Sequence, residues 1–138
     1  MTLDDLISRK TISIPQAVSM VQSHQSIATG IAGSEAPGLL AELANHRDRL
    51  EDVHVWVCLP LRSYDYLVKP EMSGHFFVEN WFYSGTDRLM HPQGRVSYIP
   101  NNLHRAATDK LIANKGHLNV FWGTATPPDK RGFMSLSL

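Results

Sequence analysis

A single cysteine, Cys58, is all the thiol this chain has, so an internal disulfide is excluded and a reducing, cytoplasmic setting is expected. An excess of either charge is also missing: thirteen basic residues balance thirteen acidic ones. No overall field therefore recruits nucleic acid or an anionic membrane. No apolar run reaches the roughly 20 residues that a membrane span needs. The opening Met1-Thr2-Leu3-Asp4-Asp5-Leu6 carries acids where a signal peptide carries bases. Repeats, low-complexity tracts and linkers are absent. The seven histidines are scattered with no H-x-x-x-H pair, so no metal site is expected. What remains is a chain of 138 residues, 43% hydrophobic and 19% charged: one globular domain with a proper core.

Alternating strand and helix signals run along it. Leu3–Lys10 spaces Leu3, Leu6 and Ile7 like a helix face. Ser13 caps a second helix to Ser23, with Pro15 in its first turn. Ser26–Thr29 reads as a strand, residues 37 to about 49 as a helix, and Asp52–Leu59 as a buried strand stopped by Pro60. Residues 64–68 suit a short helix or strand, and aromatic Gly74–Tyr83 reads as a strand before the Ser84-Gly85 turn. A short helix at Arg88–Met90 and a strand at Arg95–Ile99 follow. Asn101 or Asn102 then caps a helix to about Asn114, Leu118–Ala125 is an apolar strand, and Gly132–Leu138 is one more. The order predicts an α/β fold with a mostly parallel sheet flanked by helices. Ligands of such sheets sit beyond the carboxyl ends of the strands. The loops at residues 30–37, 59–64, 100–102 and 124–129 are expected to share that rim.

The most informative of these loops is Thr29-Gly30-Ile31-Ala32-Gly33-Ser34-Glu35-Ala36-Pro37. Gly30 and Gly33 remove Cβ and permit positive φ, and Pro37 is pre-organised for the first helical turn. Free N–H groups at that helix start favour a phosphate or carboxylate. The glycines are three apart, so this is neither a G-x-G-x-x-G fingerprint nor, with no Gly-Lys-Ser/Thr, a Walker loop. Glu35 reads first as an acid favouring the helix start and second as a substrate-facing group. Cys58, in a buried strand, reads as an inert core thiol. The aromatics Phe76, Phe77, Trp81, Phe82 and Tyr83 read as core or interface packing rather than a base-stacking platform. Thr126-Pro127-Pro128-Asp129-Lys130-Arg131-Gly132 enforces a rigid excursion, a hairpin or crossover turn that also suits a ligand-facing role.

Taken in order, these segments resemble the amino-terminal domain of the acetyl-CoA hydrolase/transferase family, which includes 4-hydroxybutyrate CoA-transferases. The anchors are Gly30–Leu43, Val53–Leu59, Gly94…Tyr98-Ile99-Pro100 and Thr124–Leu136, the last resembling the family's Ser-Pro-x-Asp-x-x-Gly-aromatic pattern. Two departures are Ser23-His24-Gln25, where the family has Ser-Gly-Asp, and Ser137, where it has glycine. The resemblance implies a CoA-transferase (NagB/RpiA-like) domain over residues 1–138, the first of two similar domains. It also implies transfer of CoA between an acyl-CoA and a small carboxylic acid through an active-site glutamate, which becomes a glutamyl-CoA thioester. That glutamate lies in the family's second domain, and none of Glu35, Glu42, Glu51, Glu71 or Glu79 occupies a matching motif. The expected cleft residues here are Gly30, Gly33, Ser34, Glu35, Ala36, Pro37, Pro100, Asn101, Pro127 and Asp129. CoA and acyl-CoA enter as substrates with no permanently bound cofactor. The partners expected are the second domain and, in the complete protein, a further copy of itself. Acyl-CoA hydrolysis and a non-catalytic accessory subunit are the alternative readings. The apolar, uncapped last segment suggests a piece of a larger protein.

Overall fold

The computed structural model describes residues 2–106, 108 and 118–136. Five strands, β1 (Ser26–Thr29), β2 (Val53–Val57), β3 (Phe76–Asn80), β4 (Val96–Tyr98) and β5 (Val120–Trp122), form one sheet in the order β4-β3-β2-β1-β5. All four pairings are parallel. The α/β expectation with a parallel sheet is met. β1 lies between β2 and β5, with Ile27 in register with Val55 on one side and Val120 on the other. All five carboxyl ends therefore point to one rim.

Alternation along the strands defines the core. Ile27, Val53, Val55, Val57, Phe76, Val78, Val96 and Trp122 share one buried cluster with Val18, Leu40, Leu43, Tyr66 and Leu67 from the helical segments and with Val21 and Leu50 just past their ends. Those segments are α1 (Leu3–Lys10), α2 (Ile14–Ser19), α3 (Pro37–Glu42), α4 (Asp65–Val68) and α5 (Gly85–Met90), with 3-10 turns between them. Capping explains several starts. The side chains of Thr2, Ser13 and Ser84 each accept from the N–H three residues on, and their own N–H groups donate to that residue's side chain, a capping box at α1, α2 and α5. Intermediate strand positions put His54, Trp56, Phe77, Glu79 and Phe121 on the opposite face, where His54 stacks on Phe77 at 5.5 Å.

Several elements are shorter than the sequence suggests. α2 stops at Ser19 rather than Ser23 because its last turn tightens, Met20 N–H reaching back to Ala17, and Gln25 captures the Gln22 N–H. The helix over residues 37–49 is α-helical only to Glu42 and continues as 3-10 turns to Arg49. Arg49 donates to the Val18 and Val21 carbonyls at 2.6 Å each and so pins that end to α2. Residues 64–68 resolve as the helix α4, and the short helix expected at Arg88–Met90 starts earlier, at Gly85.

The segment from Gly132 is not a strand through its described residues. The Asp129 carboxylate takes the Arg131 and Phe133 N–H groups, and Asp129 N–H bonds Phe133 O, so this backbone is used up locally. Only an antiparallel bridge, Ala125 to Leu136, remains, which makes the excursion a hairpin. The helix expected from Asn101 or Asn102 to Asn114 shows a 3-10 turn at Leu103–Arg105. Most of the rest of it, with His117, Ser137 and Leu138, lies outside the described residues. No described helix is long and apolar enough to cross a membrane.

Candidate functional site at the carboxyl rim

Gly30 leaves β1 and the chain doubles back at once. Gly30 N–H bonds Trp122 O at 2.9 Å, while a 3-10 turn over Ala32–Ser34 brings Ser34 over it. A Cβ on residue 30 would collide with the Ser34 carbonyl and lie 2.7 Å from Ser34 Oγ. Close approach is thus what this glycine supplies. Neither Gly30 nor Gly33 has positive φ; the left-handed residue is Ala32, at 46°, against the sequence expectation. Ala32 holds that conformation because its N–H bonds Cys58 O at 3.1 Å and its carbonyl accepts from Glu35 N–H. Ser34 Oγ donates to Ile31 O, and Ser34 O accepts from Thr124 N–H. One short loop therefore ties together the ends of β1, β2 and β5.

Glu35 is 5% exposed, and its carboxylate accepts from Leu61 N–H at 3.4 Å. It clamps the loop after β2 rather than standing open at the start of α3. The Tyr64 hydroxyl is buried near it. Burial first, and the Glu35 carboxylate second, push that phenol well above its ordinary range. Their geometry falls short of a full hydrogen bond, so the hydroxyl is left unsatisfied. Ala36 caps α3 without a side-chain bond and Pro37 opens it, but α3 is only six residues long. Burial pushes the Cys58 thiol up as well, in keeping with an inert core cysteine.

Two hollows flank the loop, and Ile31 lines both. One, of about 240 Å³, is walled by Cys58, Leu59, Trp81, Phe82, Asn101, Leu103 and Ala106. The other, of about 470 Å³, runs between the ends of β1 and β5 along Gly30, Ser34, Gly123 and Thr124. Both are mostly apolar, yet Trp81 Nε1, Asn101 Nδ2 and Thr124 Oγ1 are shielded from solvent with no partner. Unpaired buried polar groups are costly, which is why they concentrate where a ligand can satisfy them.

Of the residues picked from the sequence, Gly30, Gly33, Ser34, Glu35, Ala36 and Pro37 form the loop itself. Asn101 meets Ile31 across the smaller hollow, and Pro100 precedes it. Pro127 and Asp129 lie in the hairpin beyond Thr124, lining neither hollow, and the Asp129 carboxylate is occupied by its own turn. Tyr64, Trp81 and Leu59, at φ 51°, join the rim without a sequence motif of their own. The signal for them was their position just past strand ends, since Leu59–Tyr64 was expected on the rim and Trp81 directly follows β3. Among the described residues no group of three or more histidine, cysteine or acidic side chains is placed to hold a metal ion.

No protein-family model and no curated protein matches the sequence. Solved structures do match. RipA from Yersinia pestis is 24% identical, with a TM-score of 0.80 over 97% of this chain and 33% of RipA. A point variant of RipA is 25% identical, with a TM-score of 0.84 over 99% of this chain and 33% of that one. A second point variant matches at 25% identity and a TM-score of 0.80. The chain thus has the fold found in RipA and spans about a third of its length.

Proposed function

We propose that this chain is the amino-terminal domain of a CoA-transferase and forms one wall of a cleft that a second domain completes. The observation that carries the reading is the Gly30–Pro37 loop, which fastens three parallel strand ends and parts two apolar hollows holding unpaired polar groups. The motif order resembling the acetyl-CoA hydrolase/transferase family, and a RipA-like fold over nearly the whole chain, support it. A protein about three times this length has room for a second α/β domain with the glutamate.

In this reading the glutamate carboxylate attacks the acyl-CoA carbonyl and expels CoA thiolate, giving an acyl-glutamyl anhydride. The thiolate then attacks the glutamyl carbonyl, releasing the first carboxylic acid and leaving the glutamyl-CoA thioester. An incoming carboxylate reverses the sequence. This chain's part is to hold the acid: Ile31, Leu59 and Trp81 take its carbon chain, and Trp81 Nε1–H and Asn101 Nδ2–H pair with its oxygens. Such donors aimed at developing negative charge favour the tetrahedral species.

The test is CoA transfer from acetyl-CoA to propionate or butyrate by the 138-residue chain and by the chain extended through a second domain. Turnover by the extended protein alone is expected. In it, N101A should raise KM for the acid acceptor. Robust turnover by the isolated chain overturns the reading. CoA release without an acid acceptor identifies the hydrolase instead.

A further inference from the structure

The rim has a third hollow that this reading does not use. It lies beyond the ends of β3 and β4, has a volume of about 340 Å³, and is lined by Phe82, Tyr83, Arg88, His91 and Tyr98. Phe82 separates it from the hollow beside Ile31. Its walls are aromatic and unusually bare: Phe82 is 58% and Tyr98 52% exposed. Tyr83 meets Tyr98 edge-on at 5.1 Å and His91 at 5.5 Å, which fixes the angle of the rings. The Tyr83 hydroxyl lies 2.7 Å from His91 Nδ1, and both face Val96 O, at 3.3 and 3.2 Å. That carbonyl can only accept, so it takes the tyrosine hydroxyl or an imidazole N–H.

Arg88 is the other polar element. It is exposed on α5, and its guanidinium joins no ion pair or hydrogen bond among the described residues. No carboxylate lines the hollow. An unpaired guanidinium beside aromatic faces, with no competing acid, matches a planar ring that carries a phosphate. The ring stacks on the exposed aromatics and the planar fork grips the anion. Its size falls within the range of small-molecule pockets.

We propose that this hollow binds the phosphate-bearing heteroaromatic end of a ligand of the nucleotide class, with Tyr98 and Phe82 against the ring and Arg88 on the phosphate. The inference stands apart from the CoA-transferase reading, because it predicts binding by this chain alone whatever reaction it serves.

The test is calorimetric titration of the 138-residue chain with adenosine monophosphate, adenosine and inorganic phosphate. Adenosine monophosphate is expected to bind saturably, and adenosine and phosphate each about tenfold or more weakly. R88Q should weaken the monophosphate about tenfold and leave adenosine unchanged, and R88K should fall between, since lysine keeps the charge but loses the fork. Y98A should weaken monophosphate and adenosine together. The proposal is overturned if the monophosphate binds no better than phosphate. It is equally overturned if R88Q, R88K and Y98A all bind like the parent, which places the ligand elsewhere.

Discussion

Glu35 and Tyr64 make opposite demands on the same few ångströms. The carboxylate serves the Leu61 N–H, whereas the buried phenol has no partner. Removing the carboxylate leaves the part-buried Leu61 N–H unpaired, while removing an unserved hydroxyl leaves nothing behind. E35A should therefore lower stability by about 1–3 kcal/mol, with E35Q recovering part of it, and Y64F should be neutral or stabilising. Urea midpoints of the three variants check this; a larger loss for Y64F than for E35A contradicts the geometry. Gly30 tests crowding in the same loop. The methyl of G30A meets the Ser34 carbonyl, and displacing it should cost about 1–3 kcal/mol, the usual range for overpacking. The sequence offers two roles for Gly30, a missing Cβ and freedom of φ. The position requires the first and not the second, a distinction that appears only once Ser34 is seen folded over it.

Among elements, α5 is the clearest case of a short helix set by its cap. Asp87 is fully buried, and one of its carboxylate oxygens takes both the Ser84 N–H and the Ser84 hydroxyl at 2.7 Å. S84A should cost about 1 kcal/mol, the usual price of a lost cap, and thermal unfolding should show it. The Ser-x-x-Asp spacing was present in the sequence yet read as a turn, because Gly85 dominates the local pattern. Strands were legible for a better reason. β2 and β3 carry β-branched and aromatic residues between breakers, and Ser26–Thr29 was found to the residue. Their lengths were less so, since Leu59, Trp81 and Phe82 are as apolar as strand residues but belong to the rim. The hairpin after Thr124 shows the limit most plainly. Gly132–Leu136 alternates like a strand, and the capture of Phe133 N–H by Asp129 and of Ser135 N–H by Thr126 Oγ1 removes it from the sheet. The rim itself was legible, because a parallel sheet puts every loop after a strand on one side.

At the scale of the molecule, acid and alkali should attack at different places. Near the start of β2, Asp52 bonds His24 at 3.0 Å and His54 at 3.4 Å, and the His24 bond, ahead of the charge on His54, holds its pKa below the ordinary value. A lowered folded-state pKa contributes stability that is present above the unfolded pKa, near 4, and lost as pH falls through the folded value. The thermal midpoint should therefore fall below about pH 4, and D52N should flatten that limb. The tyrosines act in reverse. Burial raises Tyr66 well above its usual range and Tyr64 likewise, so their contribution holds below about pH 10 and disappears as pH rises further. Absorbance at 295 nm should show both phenols ionising only with alkaline unfolding. Early ionisation of all four tyrosines contradicts the buried placement.

The place of β5 also has a consequence for how the protein is made. Ser26 N–H is held by the Asn119 side chain, and Ile27 pairs with Val120, more than ninety residues downstream. A nascent chain emerging from the ribosome can assemble β1 to β4 as each strand appears, but β1 keeps an open flank until residues near 124 are free of the exit tunnel. The hollow between β1 and β5 is thus the last part of the rim to exist, and stalled chains shorter than that should present β1 as a bare, adhesive edge.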